Sequence, residues 1–85
     1  MAESKIQGPV VDSKIKGFDI TIRRQRLGDA IADLANRGLI ARHCIHAQDD
    51  RGLSVYIINV RATEEQIRAL DEEAPHWMVG WSDEP

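Results

Sequence analysis

The chain contains only one cysteine, Cys44, among 85 residues. A single thiol cannot form an intramolecular disulfide, and alone it cannot build a cysteine-based metal site. Long apolar runs are also lacking, because the longest has about four residues whereas a membrane-spanning helix needs roughly 20. The first five residues are polar and no apolar stretch follows them, so we expect a cytoplasmic protein without a secretory leader or membrane contact.

The net charge of −3 is distributed unevenly along the sequence. Residues 1–48 carry eight Lys/Arg and five Asp/Glu, a balance of +3, whereas residues 49–85 carry three Arg and nine Asp/Glu, a balance of −6. Such asymmetry favours a charged surface that attracts a partner of opposite sign. The alternative is that folding interleaves the two halves and the field averages out.

The first half of the chain predicts a strand followed by a helix and a second strand. Residues 18–23 alternate apolar and polar side chains, which is the period of a half-buried strand. Apolar residues then recur at helical spacing from Leu27 to Ala35, and Gly38 stands where a left-handed residue ends a helix. In residues 40–47, apolar side chains occur at both odd and even positions and are mixed with arginine and histidine. This composition is typical of an edge strand.

The second half repeats this order. Turn chemistry in residues 49–52 precedes a β-branched, largely apolar segment, 53–60, that predicts a central strand. Thr63 and Gln66 form the pattern of a capping box at the start of a second helix, and Pro75 marks its end. Residues 76–81 predict a last, short strand.

The predicted order is therefore strand, helix, strand, strand, helix, strand, the split βαβ or ferredoxin-like arrangement of the α+β class. The first and third strands should be central in a four-stranded antiparallel sheet, and both helices should cover one face. We expect a loosely docked arm at residues 1–17, one domain over residues 18–82 and an acidic tail at residues 83–85. The face opposite the helices must be solvated or covered by a partner.

The strand pattern argues against catalysis and against a resident metal or cofactor. His43 and His46 lie three residues apart on a strand and therefore point to opposite faces, so they cannot hold one ion together. Cys44 has no base on its own face other than His46, and a buried inert thiol is the favoured interpretation. Without a phosphate-binding loop, a nucleophile elbow or a paired acid and base, we predict a protein that is not an enzyme and needs no cofactor.

The same pattern argues against nucleic acid as the partner. The chain is acidic overall, and RNA-binding sheets of this topology stack bases on aromatic side chains of the central strands. Here Tyr56 is the only aromatic residue of the third strand, and Phe18 is predicted to be in the core. A protein partner is the remaining expectation.

Three groups of side chains are candidates for binding that partner. The densest positive run is Arg23, Arg24 and Arg26, whose guanidinium groups can hold phosphates or carboxylates. Trp77 and Trp81 would share one strand face with Val79, forming an amphipathic patch typical of interfaces. An acidic alternative surface is made up of Asp71, Glu72 and Glu73. For each group the simpler interpretation is structural: a solvated loop, closure of the core, and a solvated helix end.

Residues 27–39, the turn at 50–52 and residues 63–70 resemble an ACT-type regulatory domain. The resemblance implies a homodimer joined through its sheet, with a small ligand such as an amino acid at the interface. The Pro-Gly that usually precedes the first helix of that family is replaced here by Leu27-Gly28 after Gln25-Arg26. A ligand-sensing homodimer of this kind is the alternative functional hypothesis.

In size, acidity and lack of catalytic motifs the chain also resembles small phage-encoded inhibitors, including anti-CRISPR proteins. That resemblance implies a protein that binds another protein and blocks part of its surface. The main functional hypothesis from the sequence is therefore a non-enzymatic protein-binding module, an inhibitor or adaptor that acts by occlusion.

Overall fold

The computed structural model describes residues 14–85, in which four strands and two helices alternate as predicted. The predicted arm lies mostly in residues 1–13, outside this range. The elements are β1 (Lys16–Arg23), a 3-10 turn (Arg24–Arg26), α1 (Leu27–Asn36), β2 (Ile40–Gln48), β3 (Ser54–Ala62), α2 (Glu64–Glu73) and β4 (Met78–Asp83). The first strand begins two residues before the predicted domain boundary, and the last strand includes Asp83 of the predicted tail.

All four strands belong to one antiparallel sheet in the order β2-β3-β1-β4. The prediction of a ferredoxin-like α+β fold with central first and third strands is confirmed. Every described residue of β2 except Ala47 is exposed, which agrees with its mixed composition and its edge position.

The core lies between the helices and one face of the sheet. Phe18, Ile20 and Ile22 of β1 are fully buried, and they pair with Val60, Ile58 and Tyr56 of β3 on the same face. Ala30 and Leu34 of α1 and Ile67 and Leu70 of α2 close this layer from above, together with Trp77. The alternate residues of β1 and the apolar stripes of α1 and α2 thus pack together in one apolar cluster.

Local chemistry sets the ends of both helices. Gly38 has a φ of 77°, and its amide donates to the carbonyl of Ala35, as a residue that follows a helix C-terminus should. At the start of α2, Thr63 Oγ1 accepts from the Gln66 amide at 3.1 Å, and Gln66 Oε1 accepts from the Thr63 amide at 2.9 Å. The predicted capping box is therefore confirmed.

The opposite face of the sheet, called here the open face, carries the odd-numbered residues of β1 and β3. Neither helix covers it. Val55 and Asn59 are nonetheless only 6% and 7% exposed on this face, and neither belongs to the core cluster. The open face is therefore partly apolar and contains a polar side chain that has little contact with solvent. Within residues 14–85, no helix has the length and apolar content needed to cross a bilayer.

Candidate functional site

A groove of about 510 Å³ lies at the end of the open face where β1 stops. Three basic side chains line it: Arg23 at the end of β1, Arg24 in the 3-10 turn, and Arg51 in the turn between β2 and β3. Because β1 and β3 are antiparallel neighbours, the end of β1 meets the β2–β3 turn, and this juxtaposition brings the three guanidinium groups together. We call this feature the arginine groove.

The one carboxylate in the arginine groove, Asp49, is already engaged. Its Oδ1 accepts hydrogen bonds from the backbone amides of Arg51 and Leu53, each at 2.9 Å. These bonds, chiefly the one from Leu53, lower the pKa of Asp49, so the carboxylate is ionised and serves the turn. Its Oδ2 lies 3.7 Å from Nη2 of Arg51, a side chain that is 80% exposed.

The other two arginines keep most of their donors available. Arg23 Nε donates to the backbone carbonyl of His76 at 3.0 Å, which fixes the side chain at the mouth of the groove. The Arg24 side chain forms no hydrogen bond or ion pair with any of residues 14–85. The groove therefore carries more positive charge than its own carboxylate neutralises.

The floor of the arginine groove is apolar. Val55 lies at its base, and Val79 and Leu53, which are 49% and 53% exposed, stand at its sides. Guanidinium groups beside an apolar floor can bind a segment that has both carboxylates and aliphatic side chains.

The sequence singled out Arg23, Arg24 and Arg26, and the structure brings only the first two to the groove. Arg26 lies outside it, with its Nη1 3.5 Å from Asp29 Oδ2. Arg51 and Leu53 were not predicted, and Val79 was expected in a patch with Trp77 and Trp81 rather than beside the arginines. The turn pattern at residues 49–52 indicated where Arg51 lies along the chain, but the sequence contained no sign of which strand end it would face.

The expectation that Trp77, Val79 and Trp81 share one face is wrong. Trp77 precedes β4 and is 1% exposed, and its Nε1 donates to Asp33 Oδ2 at 2.9 Å. Between the Thr21 and Ile22 pairs the β1–β4 register shifts, so Met78 and Trp81 both face the helices although they are three residues apart. Trp77 therefore has no surface to offer a partner, and half-buried Trp81 packs edge-to-face on Phe18, with ring centroids 5.8 Å apart.

The predicted acidic surface lies on the helical layer, far along the chain from the arginine run. Asp71 and Glu72 are exposed, whereas Glu73 is held by Arg37 through hydrogen bonds of 2.8 and 2.9 Å. Arg37 lowers the pKa of Glu73 through these bonds. The three carboxylates therefore do not act as one free cluster.

The histidines and the cysteine of β2 follow the predicted geometry. His43 pairs with Asn59 on the open face, whereas Cys44 and His46 pair with Ile58 and Tyr56 on the helix face. Cys44 is exposed, so the interpretation of a buried thiol is wrong. Among residues 14–85 no three His, Cys, Asp or Glu side chains are grouped closely enough to hold a metal ion.

Charge is segregated by structural layer. The two helices carry seven Asp/Glu and one Arg, a balance of −6, whereas the other residues of 14–85 carry nine Lys/Arg and five Asp/Glu, a balance of +4. The alternative in which folding averages the charge is therefore not what this part of the chain shows. Arg26 and Arg37 lie outside the helices but pair with their carboxylates, and counting these two with the helical layer gives balances of −4 and +2. The helical layer is therefore acidic, and the rest of residues 14–85 is weakly basic.

The chain matches no model of a known protein family, and comparison with curated proteins finds no significant match. The functional argument therefore rests on the surfaces described above.

Proposed function

We propose that this protein is a non-enzymatic protein-binding module that holds an acidic segment of its partner in the arginine groove. The observation that carries the proposal is the convergence of Arg23, Arg24 and Arg51 over an apolar floor, beside one carboxylate that already serves its own turn. Its role is that of a small inhibitor or adaptor, which includes the anti-CRISPR-like role expected from the sequence.

The chemistry of the groove favours carboxylates over other groups. Each guanidinium presents several N–H donors in a planar fork that matches the two oxygens of Asp or Glu. The aliphatic side chains of Leu53 and Val79 add apolar contact area beside these charges. An acidic segment with interspersed aliphatic residues satisfies both features.

The layered charge supports one orientation of the complex. An acidic partner is attracted to the basic sheet side and repelled by the helical layer, whose balance is −4 when Arg26 and Arg37 are counted with it. Long-range attraction of this kind accelerates encounter and suppresses wrong orientations. Docking at the groove would bring the partner against the adjoining open face, and the bound chain would occlude the part of the partner's surface that it covers.

Charge reversal in the groove tests this proposal. The Arg24→Glu variant should bind the partner at least ~10-fold more weakly than the wild type, since one attractive contact becomes repulsive. The matched control is Arg42→Glu, because Arg42 is an exposed arginine of β2 outside the groove, and its reversal changes the net charge equally.

The partner is first captured with the tagged wild-type chain, identified by mass spectrometry, and purified. Its affinity for the wild type and both variants is then measured by calorimetry at low and high salt. Equal weakening by the two reversals, or binding that does not respond to salt, would show that the arginine groove is not the binding site.

The alternative function, a ligand-sensing homodimer similar to ACT domains, has one structural feature in its favour. β2 is an edge strand, and next to it Ile40 and Ile31 are 70% and 47% exposed beside an apolar groove between α1 and β2. An unpaired edge with adjacent apolar side chains can extend a sheet across two copies. A stable dimer in light scattering, together with a rise in melting temperature on adding amino acids, would favour this alternative.

A further inference from the structure

A second cavity, of about 320 Å³, opens on the open face at the end where β1 begins. Four polar side chains line it: Asp19 of β1, His43 of β2, Asn59 of β3, and Glu84, which directly follows β4. The arginine groove and this cavity share no lining residue. We call it the acceptor cavity, since it presents oxygen acceptors.

Asn59 has an unused hydrogen-bond acceptor in this cavity. The residue is 7% exposed, its Nδ2 donates to Asp19 Oδ1 at 2.9 Å, and its buried Oδ1 has no donor. Asn59 is paired with Asp19 on its β1 side and with His43 on its β2 side. A buried carbonyl oxygen without a donor has lost its hydration and gained no hydrogen bond, and a donor supplied from outside would offset that loss.

Two carboxylates stand beside this oxygen. Asp19 pairs with Asn59 in the β1–β3 register, and within residues 14–85 only its Oδ1 is engaged. The Glu84 side chain lies over Gly17, in space that a Cβ at Gly17 would fill, and the Glu84 amide donates to the Gly17 carbonyl at 3.2 Å. Glu84 has no ion-pair partner within residues 14–85.

We infer that the acceptor cavity binds the side-chain ammonium group of a lysine from a partner polypeptide. Asp19 and Glu84 supply carboxylates and Asn59 supplies an amide oxygen, and an ammonium group has three N–H donors that can reach acceptors in different directions. His43 is exposed, so its ring can move aside for the donor that reaches Asn59 Oδ1.

The walls of the cavity fit the rest of a lysine side chain. Ile45, which is 57% exposed, and half-buried Ile57 lie on the open face beside the polar groups, and Pro85 completes the rim. A lysine buries its aliphatic stem along such surface while its charged end reaches the acceptors. The inference rests on the proposed protein-binding function in one respect, which is that the lysine belongs to a partner protein.

Besides His43, which lines the cavity, Arg61 is a basic residue close to the site and opposes binding. Arg61 pairs with Gly17 on the same face and forms no ion pair with Asp19 or Glu84. Its positive charge reduces the attraction of the cavity for a second cation. Replacing Arg61 by Gln should therefore strengthen binding of the ammonium group.

The inference is tested on the whole chain with the peptide acetyl-Gly-Lys-Gly-amide, followed by ¹⁵N NMR. The lysine peptide should shift the Asn59 side-chain amide and the backbone amides of Asp19 and His43. The same peptide with norleucine, which lacks only the ammonium group, should leave these signals unchanged. Signals of Arg24 and Arg51 should not move with either peptide, so the result is independent of the arginine groove.

Two variants remove charge from the cavity with little change in shape. Asp19→Asn keeps an oxygen acceptor for Asn59 Nδ2, and Glu84→Gln lies near the end of the chain, where it does not threaten folding. Each should weaken lysine-peptide binding by about fivefold or more, a loss of order 1 kcal/mol by the usual conversion. Asp71→Asn, which removes an exposed carboxylate of α2, is the matched control and should have no effect.

Several results would overturn the inference. They are shifts of equal size with the norleucine peptide, unchanged affinity in both Asp19→Asn and Glu84→Gln, and binding of an arginine peptide as tight as that of the lysine peptide. Loss of partner binding in Arg24→Glu without any lysine-peptide binding would retain the proposed function and reject this site. The reverse pattern would retain this site and reject the arginine groove.

Discussion

At the scale of single residues, Asp33 organises the junction between α1 and the segment before β4. Its Oδ2 accepts from Trp77 Nε1 at 2.9 Å, and its Oδ1 accepts from Arg37 Nε at 3.0 Å. The bond from Arg37, assisted by the one from Trp77, lowers the pKa of Asp33 below its usual value of 3.8. A half-exposed carboxylate thus satisfies the one polar atom of a buried indole ring.

Trp77→Phe should strongly destabilise the fold. The change removes part of a fully packed ring and the hydrogen bond to Asp33, so we expect a loss of about 2–4 kcal/mol in the free energy of unfolding. Urea unfolding followed by circular dichroism measures the loss. The control is Trp81→Phe, for which the loss should be smaller, since that ring is only half-buried. Equal losses would contradict the central position assigned to Trp77.

At the scale of elements, Arg37 links the ends of the two helices. It follows α1 directly, and its guanidinium group binds Asp33 of α1 and Glu73, the last residue of α2. These two carboxylates raise the pKa of Arg37 above its ordinary value, chiefly through the Glu73 bonds. A positive charge beside the C-termini of two helices also interacts favourably with both helix dipoles.

Arg37→Gln should therefore cost about 1–2 kcal/mol in the free energy of unfolding, because two charge-assisted contacts are lost at once. The matched control is Arg68→Gln, which removes an exposed pair with Glu64 within α2 alone. An i,i+4 surface pair contributes only about 0.3–0.5 kcal/mol. If the two variants had the same urea midpoint, Arg37 would not connect the helices energetically.

At the scale of the whole molecule, acidic side chains dominate the helical layer and several of them are ionically paired. Among residues 14–85, five carboxyl groups have a lowered pKa in the folded state: Asp29 through His76, Asp33 and Glu73 through Arg37, Asp49 through its turn amides, and Glu64 through Arg68. Each group binds protons more readily in the unfolded chain than in the folded one. Their stabilising effect is therefore present above the unfolded pKa values, near 4, and is lost as pH falls through the folded values.

Stability should accordingly fall when the pH is lowered from 6 to 3, with the steepest loss below about pH 4. Urea unfolding at fixed ionic strength and several pH values measures this dependence. The Arg37→Gln variant should show a shallower slope, since Asp33 and Glu73 lose the main cause of their lowered pKa. A wild-type stability that stays constant between pH 6 and 3 would refute the assignment.

Much of the fold could be predicted from local patterns. The alternation in β1, the stripe of α1, the capping box at Thr63 and the left-handed Gly38 depend on neighbours a few residues away, and all four are confirmed. The edge position of β2 also followed from its mixed composition. Short-range periodicity and capping chemistry are sufficient for such features because the contacts that cause them lie within one element.

The candidate site could be predicted only in part. Arg23 and Arg24 were found as a charge run, but Arg51 joins them through antiparallel pairing of strands that are far apart in sequence. The burial of Trp77 depends on where β4 begins and on its irregular register, neither of which a period-two pattern shows. A shift in the register between two strands thus changes the face of the sheet on which a side chain lies.

The order of strands and helices, the ends of the helices and the surplus of acidic residues in α2 were determined by the sequence itself, since each depends on adjacent residues. The tertiary structure alone decided that three arginines share a groove, that charge separates by layer, and that Asn59 keeps an unpaired oxygen beside Asp19. The physical reason is that strand register and helix docking bring together residues separated by tens of positions. Contacts between residues so far apart in sequence produce no periodic pattern along the chain.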